Sequence, residues 1–162
     1  MDRQNDDSVF SERRAVKPLS VIVVGAGIGG LAVGLCMQKT GHKVRILEKR
    51  REIAEVGAGI QLAPNATRIL RRFDVLDEAM KYAIVLKQNS LRRWEDDEEV
   101  GSIPLAHVEE EFGAPLAVIH RADLHRVLLD AAIGCGCEIL RGHEVIDTDP
   151  QFLPYVFHMP FA

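Results

Sequence analysis

Apolar residues come along this chain in short continuous runs, in helically spaced stripes and in one alternating stretch, and each pattern predicts a different element. Leu19-Ser20-Val21-Ile22-Val23-Val24 is a continuous run rich in β-branched residues and predicts a strand. It passes without a linker into Gly25-Ala26-Gly27-Ile28-Gly29-Gly30, where the period becomes helical. Ile28, Leu31, Ala32, Leu35 and Cys36 fall at i, i+3, i+4, i+7 and i+8, which predicts a helix from about Ile28 to Lys39 with one face on a sheet. Gly34, at i+4 from Gly30, predicts a second close approach to that sheet, and Gly41 the helix stop. Lys43-Val44-Arg45-Ile46-Leu47 then reads as a second strand that ends on an acid, Glu48.

The pattern loosens and then returns. Val56-Gly57-Ala58-Gly59-Ile60-Gln61-Leu62-Ala63-Pro64-Asn65 is a second glycine-rich loop, with Pro64 suited to the first turn of a helix whose apolar stripe is Ala66, Ile69, Leu70 and Phe73. Ile84 to Trp94 contains an alternating stretch, Glu95 to Glu99 is an acidic turn and Val100 to Leu105 returns, which predicts a hairpin. Pro115 to Ile119 is a further strand. It delivers His120 and Arg121 to a helix with Leu124, Val127, Leu128 and Ala131 on one stripe, and Cys137 to Leu140 and Glu144 to Ile146 read as two short strands. Residues 1–18 are polar and charged and predict a disordered arm, without the apolar stretch of a secretory signal. Residues 150–162 carry three prolines and no alternation, which excludes a central strand.

With 162 residues, 47% of them hydrophobic, and a net charge of -4, the chain has the length of one domain and no basic surplus for nucleic acid. No apolar run approaches the roughly 18 residues that cross a bilayer. Three cysteines do not form a secreted disulfide framework, and Cys135-Gly136-Cys137 lacks both redox and zinc spacing, so all three read as reduced thiols of a cytoplasmic protein. The six histidines show no metal-binding spacing, and no metal site is expected. His120 and His125 read as packing and surface residues. The acidic runs at Glu95–Glu99 and Glu109–Glu111 read as solvated surface.

The candidate chemistry lies in the first thirty residues of the ordered pattern. Gly25 permits a sharp turn out of the strand, Gly27 lets backbone approach a pyrophosphate that a Cβ would exclude, and Gly30 lets helix and strand pack closely. An anion would sit on the free N–H groups of the helix N-terminus. Glu48, 18 positions after Gly30, would accept hydrogen bonds from ribose hydroxyls and repel a 2′-phosphate. Together these residues predict a dinucleotide-binding βαβ unit; the alternative is a glycine turn packed for its own sake. Lys49-Arg50-Arg51-Glu52 reads as a solvated basic loop. The loop through Gly59 reads either as backbone approaching a large flat ligand or as an ordinary connection. Arg121, at a strand-to-helix junction, reads either as a clamp on carbonyls or as a ligand residue.

GAGIGGLAVGLCMQKTGHKVRILEKR followed by VGAGIQLAPNATRIL resembles the N-terminal part of the single-component FAD-dependent aromatic hydroxylases, the salicylate-hydroxylase-like flavin monooxygenases. The resemblance continues through Leu86 to Trp94 and through His120 to Leu129, and so covers most of residues 19–149. It implies an α/β fold: a Rossmann-like FAD-binding parallel sheet, incomplete here, with a β-hairpin of the substrate-side sheet inserted at residues 82–105. It implies FAD with its pyrophosphate on Gly25, Gly27 and Gly30, its adenosine ribose on Glu48, and Gly57 to Gly59 and Arg121 along the cofactor. In that family NAD(P)H reduces the flavin, which then uses O2 to hydroxylate a small aromatic or related organic molecule. No catalytic residue is assigned.

Residues 150–162 match nothing in that family, and the expectation is a truncated product that binds FAD weakly and does not hydroxylate by itself. Two other readings stand beside it. One is a non-catalytic truncated dinucleotide-binding module, and the other an NAD(P)-dependent oxidoreductase, whose second glycine loop would normally be replaced by another strand-helix repeat.

Overall fold

A computed structural model describes residues 14–52 and 58–148. The expected tail, Gly57 and most of the expected N-terminal arm lie outside the described residues. Within that arm's last residues, the Ala15 N–H donates to the Thr40 carbonyl at 2.8 Å. The chain forms two compact units, residues 1–55 with 125–162, and residues 56–124.

The first unit is built on strand β1 (Ser20–Val24), helix α1 (Ile28–Lys39) and strand β2 (Lys43–Glu48), within one residue of the bounds the apolar pattern predicts. β1 and β2 are parallel, with Val21 opposite Val44 and Val23 opposite Ile46. Leu31, Gly34 and Leu35 are the buried residues of α1. A Cβ on Gly34 would lie 2.7 Å from Cδ1 of Ile46, so this glycine does mark a close approach of helix to sheet. The helix ends where expected, at Thr40 and Gly41, the latter with φ of +95°.

The third strand of this sheet is supplied from far along the chain. Helix α5 (Arg121–Gly134) leads through Gly136, at φ +96°, into β8 (Glu138–Arg141), which pairs in parallel with β2 to give the order β1-β2-β8. Leu124, Val127, Leu128 and Ala132 are buried along α5, whereas Ala131 of the expected stripe is only half-buried. The second strand expected at Glu144 to Ile146 does not form. Gly142 turns at φ +72°, and the next amides are spent on the exit of β2: Gly142 N–H on the Arg50 carbonyl at 3.1 Å and His143 N–H on the Glu48 carbonyl at 2.9 Å.

The second unit contains β3 (Gly59–Leu62), α2 (Pro64–Arg72), α3 (Leu76–Met80), β4 (Ala83–Val85), β5 (Gln88–Arg92), β6 (Glu99–Pro104), α4 (Val108–Phe112) and β7 (Ala117–His120). β7 lies between β3 and β4 and is antiparallel to both. Pro64 stands at the start of α2, as its fixed φ favours. The stripe of α2 differs from the expected one. Ile69 is 46% exposed and Thr67 is buried, its hydroxyl donating to the Pro115 carbonyl at 2.8 Å.

The predicted hairpin is real but shorter. β5 and β6 pair antiparallel, while Ala83–Val85 joins the other sheet and Leu86 N–H donates to the Leu116 carbonyl at 2.9 Å. The alternating run therefore spans two strands of two sheets. Its acidic turn is exposed and ion-paired, Arg92 to Asp97 at 3.0 Å and Arg93 to Asp96 at 3.3 Å and to Glu98. Leu91, Trp94, Val100 and Ile103 of this hairpin are exposed.

Candidate functional site

The first site grows out of the end of β1. Gly25 turns at φ +93°, a region a side chain disfavours, and its N–H donates to the Leu47 carbonyl at 2.7 Å. Ala26 follows, buried and held from both ends. Its N–H donates to Glu48 Oε2 at 2.8 Å, and its carbonyl lies 2.6 Å from Nε2 of His125. Gly27 is the N-cap of α1, extended at φ -72° and ψ 176°.

The three motif glycines and their neighbour divide by surroundings. A Cβ on Gly30 would stand 2.0 Å from the Gly25 carbonyl oxygen, so the turn closes tightly on the helix there. Among the described residues, nothing lies within 4 Å of where a Cβ of Gly27 or Gly29 would stand. Among the described residues no side chain caps α1, and no acid occupies its first turn. A helix N-terminus in this state leaves amide donors and the positive end of the helix dipole for an anion. The residues present therefore fit a pyrophosphate group, with backbone open at Gly27 and Gly29 and closed at Gly30.

Glu48 ends β2 beside this turn. Besides Ala26, it accepts from the Arg50 N–H, through Oε1 at 2.9 Å. Burial raises its carboxyl pKa, but the N–H groups of Arg50 and Ala26 and the charges of Arg50 and Lys49 outweigh it and hold the carboxyl below its ordinary range. Each oxygen thus has one bond to backbone and one acceptor position left. The sequence reading did not foresee that this acid ties the two strand ends together.

The other two predicted residues lie in the second unit, each beside the other's chain neighbour. Gly59 begins β3 opposite His120, and the Arg121 N–H donates to the Ala58 carbonyl at 3.1 Å. Among the described residues no atom lies within 4 Å of a Cβ built on Gly59, and Arg121 is exposed at the first position of α5. Gly57 lies outside the described residues.

His125 is the residue that pattern reading assigned to packing. It is 4% exposed, one turn into α5, and makes the polar contact to Ala26 already described.

Among the described residues no helix is long and apolar enough to cross a membrane. Cys36, Cys135 and Cys137 are all free thiols.

Comparison with known proteins agrees with this geometry. The profile of the FAD binding domain matches residues 18–151. The FAD-dependent monooxygenase OpS4 of Beauveria bassiana is 37% identical over 142 residues, which are 82% of this chain and 32% of that protein. The 3-hydroxybenzoate 6-hydroxylase 1 of Aquipseudomonas alcaligenes is 39% identical over 143 residues, covering 86% of this chain and 36% of its own length. Among solved structures, Klebsiella pneumoniae HpxO complexed with FAD and uric acid superposes with a TM-score of 0.69 at 25% identity, over 82% of this chain and 33% of that one. The chain spans about a third of the length of the curated relatives it matches. A glycine turn open to an anion, an acid at the end of the second parallel strand and this match over most of the sequence lead to one assignment: the chain belongs to the FAD binding domain family.

Proposed function

We propose that this chain holds the adenosine and pyrophosphate half of FAD, as part of a monooxygenase that hydroxylates a small aromatic substrate with NAD(P)H and O2. The observation that carries the proposal is the acid-free, uncapped start of α1, with Gly27 and Gly29 facing open space beside Glu48. In this reading the amides from Gly27 onward receive the pyrophosphate. Glu48 uses its two remaining acceptor positions on the adenosine ribose hydroxyls, and Gly59 and Arg121 lie along the cofactor. The flavin supplies the redox chemistry when bound, and this chain's residues bind and orient it. The β3-β7-β4 antiparallel sheet that follows β2 supports FAD over a nicotinamide cofactor as the resident group, because a nicotinamide dehydrogenase would continue with a further parallel strand and helix. Relatives that act on hydroxybenzoate support an aromatic acid as substrate. Free thiols support a reducing compartment such as the cytoplasm.

The test is a titration of residues 1–162 with FAD, followed by flavin absorbance and fluorescence, against the Gly27→Ala variant. Saturable binding that Gly27→Ala abolishes is the expected result. No binding by the unsubstituted chain at millimolar FAD, or equal binding by both, would sink the assignment.

A further inference from the structure

We infer that His125 is a positioning residue for the dinucleotide turn: from α5 it holds the Ala26 carbonyl and thereby aims the Gly27 N–H at the cofactor. The inference rests on the FAD reading above. His125 is buried, and its Nε2 lies 2.6 Å from the Ala26 oxygen. A carbonyl only accepts, so Nε2 carries the proton in this contact. The peptide between Ala26 and Gly27 is planar and trans, which sets its C=O and N–H in opposite directions. A carbonyl anchored on His125 therefore turns the Gly27 N–H away from the histidine. Glu48 fixes the preceding plane, because the Ala26 N–H donates to it at 2.8 Å. Two side chains, 77 positions apart in sequence, so clamp both peptide planes that flank one buried alanine. Gly25 and Gly27, on either side of Ala26, have no Cβ to restrain their backbone, and without the clamp the turn would keep many conformations.

Phenylalanine and glutamine separate the polar role of His125 from its bulk. Phenylalanine keeps the volume and loses the donor. Glutamine places an N–H the same number of bonds from Cβ as Nε2 of the imidazole. FAD and ADP, which share the pyrophosphate and adenosine, are titrated against the unsubstituted chain, His125→Phe and His125→Gln, with circular dichroism as the check on folding. The expected result is an affinity loss of about tenfold for both ligands in His125→Phe, the size of one lost hydrogen bond, and recovery to within about threefold in His125→Gln. Binding by His125→Phe equal to that of the unsubstituted chain overturns the inference and leaves the FAD reading intact. A folded His125→Gln as weak as His125→Phe also overturns it, since a donor restored at that distance then fails to restore binding. An unsubstituted chain that binds neither ligand overturns the FAD reading and takes the inference with it. Should neither variant fold, nitrogen-15 resonances of His125 in the ligand-free chain decide: a proton on Nε2 supports the contact, and a bare Nε2 overturns it.

Discussion

Three glycines of one helix meet three different environments, and alanine at each should report a different property. Gly27→Ala adds a methyl where nothing lies within 4 Å, so thermal stability should be unchanged while FAD binding is lost. Gly30→Ala drives its methyl to 2.0 Å from a backbone oxygen that no rotamer change moves, and should cost stability by about 1–3 kcal/mol or more. Gly34→Ala meets the end of the Ile46 side chain at 2.7 Å, with Val44 at an ordinary 3.6 Å, and the helix gains about 1 kcal/mol in propensity. Its net change should fall within about 1 kcal/mol of zero. Thermal melts of the three variants, read beside FAD titrations, check this order.

Glu48 adds a pH signature. Its folded-state pKa is lowered, so its contribution to stability is complete above the ordinary glutamate range and disappears as pH falls through the lowered folded value. The stability gap between the unsubstituted chain and Glu48→Gln should therefore narrow on acidification across that window, as denaturant melts at stepped pH would show. The glycines and this acid were legible because backbone geometry restricts which residue types serve at a turn. His125 was not, since its partner is a backbone oxygen 99 positions away and no local spacing encodes such a contact.

At the scale of elements, apolar period located the βαβ unit almost to the residue but misjudged where strands change partner. Ile84 to Trp94 contains an alternating stretch, and alternation records which side of a strand is covered without recording by what. β4 and β5 therefore read as one. In α2 the period pointed to Ile69, yet the buried position went to Thr67, whose methyl packs while its hydroxyl finds Pro115. Thr67→Val keeps the shape and strands the Pro115 carbonyl in an apolar setting. The expected loss is about 1–3 kcal/mol, measurable in urea unfolding, with no change in the secondary structure seen by circular dichroism.

At the scale of the whole molecule, the sheet order β1-β2-β8 carries a consequence for how the chain folds. β1 meets β2 across a short connection, Val21 with Val44, whereas β2 meets β8 across a long one, Arg45 with Glu138. Loop entropy grows with the logarithm of length, so the second closure costs about 1 kcal/mol more than the first if the intervening chain is still unstructured. Residues 56–124 form a compact unit of their own, and once they fold they shorten the flexible path that must be closed. The third strand should accordingly arrive last, with backbone amides of Glu138–Arg141 acquiring protection from exchange after those of Lys43–Glu48 in a pulse-labelled refolding experiment. A protein that assembles in this order completes its cofactor turn late: His125 and Ala26 meet only when the two ends of the discontinuous unit do, and a ribosome must release about a hundred residues beyond the glycine turn before that turn takes its final shape.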